Sequence, residues 1–413
     1  MRSESTIQTK DARFAPTIEL ERQLRTNIRE ALQGEVVETL MQLADSGDSD
    51  AYFRSVMEGH SLKVSKRLLE HLSDLFDDVK ATLGFEQPVD FYVTGDSTVN
   101  AFSVSIENDK GPCIVNVNSA LLTLMTDQEV RFVLGHELGH LIDHDSKMNS
   151  LISFVYPDAT LMPIGLQHKV RLWSQLAELE ADRYGYLACG SLEACVSAFY
   201  KMSSGLDIAR MNVPLDVLLE ENRSHLDYFL SDKGISVDTH PVNPIRVEGL
   251  NLYATSKSEK ALKEGMEQLL GILMKVGCSQ LDKPLSDFIA TAGIVAASID
   301  GAISEHEMEE ILENLSAQQM FAKDYLQTVS QGDVMELFNT SVQKIMEIEP
   351  MMREALLRYV ISIVMADNSL SKEEMEFVFE MGENAFGYSK KECAVMMAQQ
   401  MQLDFTPDVD KLG

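Results

Sequence analysis

Thr126-Asp127-Gln128-Glu129-Val130-Arg131-Phe132-Val133-Leu134-Gly135-His136-Glu137-Leu138-Gly139-His140 is the stretch from which the rest of the chain is read. Its first four residues fit the S/T-x-x-E capping box, in which Thr126 accepts from backbone N–H and Glu129 reaches back, so a helix starts there. Phe132, Val133 and Leu134 then turn toward an interior while His136 and His140 share the other side. Residues four apart lie one helical turn above each other, so both imidazoles can reach one ion. Glu137 follows His136 directly and leans over the same ion. This is the H-E-x-x-H arrangement, with two metal-binding imidazoles and a glutamate that works on the metal's water.

The chain around this helix is 413 residues long, enough for two or three domains that each bury a core. Its formal charge of -30 repels phosphate backbones and argues against nucleic acid as a partner. The apolar runs fall far short of the roughly 18 residues that a membrane-spanning helix needs. Met1-Arg2-Ser3-Glu4-Ser5-Thr6 has no apolar core of the kind found in signal peptides. The five cysteines are scattered without a Cys-x-x-Cys pair, as expected of buried, reduced thiols. Together these features predict a cytoplasmic protein without membrane insertion.

Residues 1–16 are polar, lack periodicity and read as a flexible arm ending at Pro16. Helical periodicity follows to Leu83; Val64, Leu68, Leu69, Leu72, Leu75 and Phe76 mark one amphipathic face. Gly84 ends that helix and Pro88 prevents a restart. The pattern then changes to period two, predicting strands at Val89–Val93, Ala101–Ser105 and Cys113–Asn118. Helices resume to about residue 235, and a proline-containing loop spans 238–247. The small, polar run at residues 253–260 suggests a boundary, beyond which nearly everything is helical. The predicted fold is mainly α within an α+β frame. A zincin-type domain with a small antiparallel sheet (17–256) precedes an all-α bundle (257–413).

A catalytic zinc takes three protein ligands and keeps a fourth position for water. A third histidine on the same helix fails the H-E-x-x-H-x-x-G-x-x-H spacing: position eight is Asp143 and the next histidine is His144, at position nine. The better candidate is Glu178, in the helical run Leu176-Ala177-Glu178-Leu179-Glu180-Ala181-Asp182. Asp182 shares its face and is placed to accept the spare N–H of a ligand histidine. Asp182 as the ligand, with Glu178 beside it, stays open at this point. The lack of a cysteine cluster argues against a purely structural site, which is usually closed by four Cys or His ligands.

His136-Glu137-Leu138-Gly139-His140 followed by Glu178-x-x-x-Asp182 resembles the M48 metallopeptidases, the family of the Ste24 and HtpX endopeptidases. Asn100-Ala101-Phe102 and His240-Pro241-Val242-Asn243-Pro244-Ile245-Arg246 resemble two further motifs of that family. The chain lacks the family's membrane spans and so resembles its soluble branch. The resemblance implies one Zn2+ held by His136, His140 and Glu178, with Glu137 as general base. It implies Asn100 as a substrate-backbone contact, and His240 and Arg246 as donors to the developing oxyanion. Substrate is expected to add to an edge strand at about residues 113–118 of the sheet. The implied activity is zinc-dependent endoproteolysis of a protein or peptide, a gluzincin reaction.

An internal repeat lies further on: Asp300-Gly301-Ala302-Ile303-Ser304-Glu305-His306-Glu307 aligns with Asp367-Asn368-Ser369-Leu370-Ser371-Lys372-Glu373-Glu374. It resembles the TerB-like helical domain, in which Asp300, Glu307, Asp367 and Glu374 would be acidic metal positions. Read from the residues, both copies are capping boxes after a turn. A rival expectation follows, of a gated or inactive peptidase-like module whose TerB-like domain docks a protein partner in a stress response.

Overall fold

The computed structural model describes residues 14–44, 48–105, 111–230, 241–275, 280–299, 321, 323–365 and 371–401. They divide into two compact units. The described residues of the first fall within Met1–Pro157, Trp173–Asp227 and His240–Leu269, and those of the second within Asp158–Leu172, Tyr228–Thr239 and Leu270–Gly413. No helix among the described residues is long and apolar enough to cross a membrane.

The first unit opens with α1 (Glu19–Ala31), α2 (Gly34–Ala44) and α3 (Asp48–His60). Strand β1 (Leu62–Lys63) and helix α4 (Glu70–Leu83) follow. Gly84 adopts the left-handed conformation (φ 66°) and closes α4, as its position predicts. The helix is shorter than the periodicity from Val64 suggests. Leu62 and Lys63 pair with β2 (Val89–Thr94), and the Val64 amide donates to the Phe91 carbonyl at 2.8 Å. Sheet hydrogen bonds therefore take the residues that spacing alone assigns to the helix.

With β3 (Ala101–Val104) and β4 (Cys113–Asn118) these strands form one sheet in the order β1-β2-β4-β3. The β3–β4 pair is antiparallel and the β2–β4 pair parallel, so the sheet is mixed. Strand β4 is buried along its whole length, the pattern of a strand with neighbours on both sides. This corrects the expected site of strand addition: residues 113–118 are central, and the edge strands are β1 and β3. The chain continues through α5 (Ser119–Leu124), α6 (Asp127–Ile142), α7 (Asp145–Val155) and α8 (Ile164–Cys189). Next come α9 (Leu192–Ser204), α10 (Leu215–Leu230), α11 (Asn243–Thr255) and α12 (Glu259–Lys275). Phe76, Val79, Val115, Val117, Phe132, Leu134, Leu138 and Phe199 belong to the core between sheet and helices. The described end of the N-terminal arm is pinned to this unit. The Phe14 carbonyl accepts from the Tyr253 hydroxyl (2.7 Å) and the Pro16 carbonyl from Arg183 (3.0 Å).

The second unit contains α13 (Asp282–Ala297), α14 (Lys323–Gln331), α15 (Val334–Ile348), α16 (Arg353–Val364), α17 (Lys372–Asn384) and α18 (Lys390–Met401). Phe288, Ile345, Leu356, Leu357, Val360 and Val378 fill its core. Ser371 and Glu374 form the capping box read from the sequence, at the start of α17. The first copy of the repeat, with Asp300 and Glu307, and Asp367 of the second lie outside the described residues.

Candidate metal centre

Helix α6 starts as its sequence requires: the Thr126 hydroxyl accepts from the Glu129 amide, and Glu129 accepts from the Thr126 amide at 2.7 Å. From that start the helix carries His136, Glu137 and His140 on its second half. Helix α8 lies against it through a seam of glycines. A Cβ on Gly139 would meet the Ala181 Cα at 3.0 Å, and one on Gly185 would meet the Phe132 carbonyl at 2.7 Å. Only hydrogen at these positions permits so close an approach of two helix backbones. The approach sets Glu178 of α8 beside the two histidines.

Ligand atoms of His136, His140 and Glu178 all lie within 4.8 Å of one another. The two Nε2 atoms are 3.2 Å apart. Glu178 Oε2 is 3.6 Å from His136 Nε2, and its Oε1 is 3.5 Å from His140 Nε2. A tetrahedron of ligands around a zinc-sized ion has edges of about 3.4 Å, given bonds of about 2.1 Å. Two imidazoles and one carboxylate at these spacings therefore fit such an ion and leave one corner for water.

The Nδ1 atoms face away from that point. His136 Nδ1 is 3.0 Å from Asp182 Oδ1, and His140 Nδ1 is 2.8 Å from Asp145 Oδ2. Each aspartate accepts the ring N–H and so selects the tautomer whose Nε2 lone pair is free for a metal. Asp182 is in turn held by Arg246, whose Nε and Nη2 donate at 2.8 and 2.6 Å. Burial opposes charge on Asp182, but the Arg246 guanidinium outweighs it and holds the carboxyl below its ordinary value. Arg246 Nη1 also stands 3.3 Å from Glu178 Oε2, and the guanidinium lies 4.8 Å over the Phe199 ring. Burial lowers the proton affinity of His140, yet the hydrogen bond to Asp145 and the charges of Glu178, Asp145 and Glu137 prevail and push it up to about 9. These carboxylates favour a positive charge where the two Nε2 atoms meet.

His136, Glu137, His140, Glu178, Asp182 and Arg246 are thus brought together. Glu137 is buried, with 7% of its surface exposed. Asn100 lies at the start of β3, exposed, and its carbonyl accepts from the Asn118 amide at 2.9 Å. His240 lies outside the described residues. His144 is exposed and left-handed (φ 59°), and there the chain leaves α6 for α7. Sequence reasoning missed Asp145, because this turn breaks the helical spacing that would have related it to His140. It also missed Arg25 of α1, which donates to Asp145 at 2.9 Å from 120 residues away. Glu180, facing away from the ligands, accepts from the Ile18 amide, and burial holds its carboxyl well above the ordinary value. Cys189 and Cys195 have no Cys-x-x-Cys spacing, yet their buried sulfurs lie 3.4 Å apart.

Residues 64–254 match the model of Peptidase family M48. A protein of Arabidopsis thaliana described as plastoglobule-localized metallopeptidase 48, chloroplastic, is 28% identical over 246 residues, which are 56% of this chain and 67% of that relative. No solved structure matches the chain significantly. Every residue predicted for the peptidase site falls inside the matched stretch, whereas Arg25 precedes it.

Proposed function

We propose that the chain is a zinc-dependent metalloendopeptidase of the gluzincin type, hydrolysing internal peptide bonds of protein substrates. The observation that carries this reading is the convergence of His136 Nε2, His140 Nε2 and a Glu178 carboxylate beside Glu137. The family match over residues 64–254 supports it. His136, His140 and Glu178 would hold a zinc ion, which would supply Lewis acidity for activating a water and polarising the scissile carbonyl.

The protein's own residues supply the rest. Glu137 takes a proton from the attacking water and delivers it to the leaving amide nitrogen. The water oxygen bonds to the carbonyl carbon, and the C–N bond breaks. Asp182 and Asp145 hold the imidazoles in the tautomer that binding requires. Arg246 fixes Asp182 and Glu178. For Arg246 to act on the substrate oxyanion as well, its Nη1 must swing from Glu178. His240 is proposed as the second donor to that oxyanion. Substrate extends along the free edge of β3, which pairs only with β4 among the described strands, and Asn100 flanks the entrance to that edge. The helices beyond residue 257, in the TerB-like reading, dock a protein partner rather than join the chemistry.

Glu137→Gln tests the mechanism. It should retain zinc and cut casein turnover by ~10²–10⁴, the usual effect of losing an acid–base group. Undiminished cleavage by this variant sinks the mechanism. Zinc bound by the parent without chelator-sensitive proteolysis turns the reading toward a gated binding module.

A further inference from the structure

We infer that Arg25, on a helix preceding the family-matched stretch, is a positioning residue for the metal site, acting on His140 through Asp145. The inference rests on the proposed metal-binding role of His140.

The two ligand imidazoles are supported by parallel relays. His136 Nδ1 meets Asp182, which meets Arg246; His140 Nδ1 meets Asp145, which meets Arg25. The first relay lies within residues 64–254, while the second is completed by α1. Arg25 does more than pair with Asp145. Its Nη1 donates to the carbonyl of Asp143, the residue that closes α6, and its Nη2 reaches Asp145 in the first turn of α7. One guanidinium therefore bridges the two sides of the left-handed His144, the joint that returns the chain beneath His140. A planar, multiply donating cation is suited to such a bridge in a way that a lysine is not.

Arg25 is itself fixed. Glu21, with 3% of its surface exposed, accepts from Arg25 Nε at 2.9 Å and Nη2 at 2.6 Å. The Trp173 indole donates to the same Glu21 oxygen at 2.6 Å. Leu24 and Ile28 on the buried face of α1 have no exposed surface. The helix thus holds the guanidinium against the joint, and His140 Nδ1, reached through the one carboxylate of Asp145, takes its orientation from it. Without Arg25, Asp145 is left beside Glu21 and Asp143 without its cation, and the carboxylate is no longer held on Nδ1.

The test measures zinc affinity by competition with a chromophoric chelator and follows the imidazole N–H resonances of the zinc-loaded protein by NMR. Arg25→Met should weaken zinc binding by about 10–100-fold, the effect typical of losing an outer hydrogen-bond partner. It should shift the Nδ1–H signal of His140 and leave that of His136 in place. Arg25→Lys, which restores a cation without the bridge, should recover part of the affinity. Ile28→Val is the control: it destabilises the same helix but should leave both affinity and the His140 signal unchanged. An Arg25→Met affinity within about twofold of the parent overturns the inference. So does an Ile28→Val loss equal to that of Arg25→Met, which would assign α1 a merely structural role. A parent protein whose zinc binding survives His136→Ala overturns the metal-site reading itself and this inference with it.

Discussion

The interiors of the two units differ in kind. Among the described residues, the first unit buries Glu21, Glu129, Glu137, Asp145, Glu178, Glu180, Asp182, Arg183, Lys201 and Arg246, whereas His168 is the one Asp, Glu, His, Lys or Arg side chain buried in the second. The buried hydroxyls of the second unit, Thr291 and Ser341, each donate at 2.7 Å to a carbonyl of their own helix. Buried charge costs stability unless it is paired, so a protein keeps it where the charge has work to do. The buried charge of the first unit includes the side chains of the candidate metal centre, whereas the core of the second is almost wholly apolar. Substitutions at the candidate metal centre of the first unit should alter metal binding, and core substitutions in the second should alter stability alone.

Glu178→Ala offers the largest effect, loss of the bound metal, measured as metal content after gel filtration. Full occupancy in this variant would make Asp182 the third ligand and redraw the first unit's interior. Next comes Leu357→Ala, at a position in the second unit with no exposed surface. It should cost ~2–5 kcal/mol in denaturant unfolding through cavity formation and leave metal stoichiometry unchanged. A coincident loss of metal would break the separation between the units.

A smaller effect concerns pH. His140 is raised from the ordinary histidine value of 6.5 to about 9, so its proton stabilises the metal-free protein fully below 6.5, and that stabilisation is lost as pH rises through about 9. Metal must displace this proton, so zinc affinity should climb about tenfold per pH unit across that window and level off above it. A flat affinity from 6.5 to 9 would remove His140 from the ligand set. The smallest effect is Ser371→Ala, which takes away the cap of α17 and should lower stability by about 1 kcal/mol with metal binding intact.

The sequence discloses what is local. The Thr126 cap, the i,i+4 histidines and the Glu178/Asp182 pair each sit within one helix, where spacing translates directly into a shared face. The parallel pairing of β2 with β4 was not legible, because alternation shows that a residue is in a strand and not which strand lies beside it. The same limit hid the support of His140. Asp145 follows a left-handed turn that no propensity announces at a histidine, and Arg25 meets it only after α1 has packed. The helical content of the second unit was legible from composition and period, whereas its first repeat copy falls outside the described residues.

The glycine seam between α6 and α8 has a consequence for how the site tolerates change. Gly139 lies inside the signature as a residue without chemistry, and Gly185 stands opposite on a helix whose partner backbone leaves no room for a methyl group. The separation of the two helices is thereby gauged by missing atoms, and the reach of Glu178 to the histidines is cut to that gauge. A single carbon added to the seam would act as a shim, easing Glu178 off its corner while every coordinating side chain kept its identity.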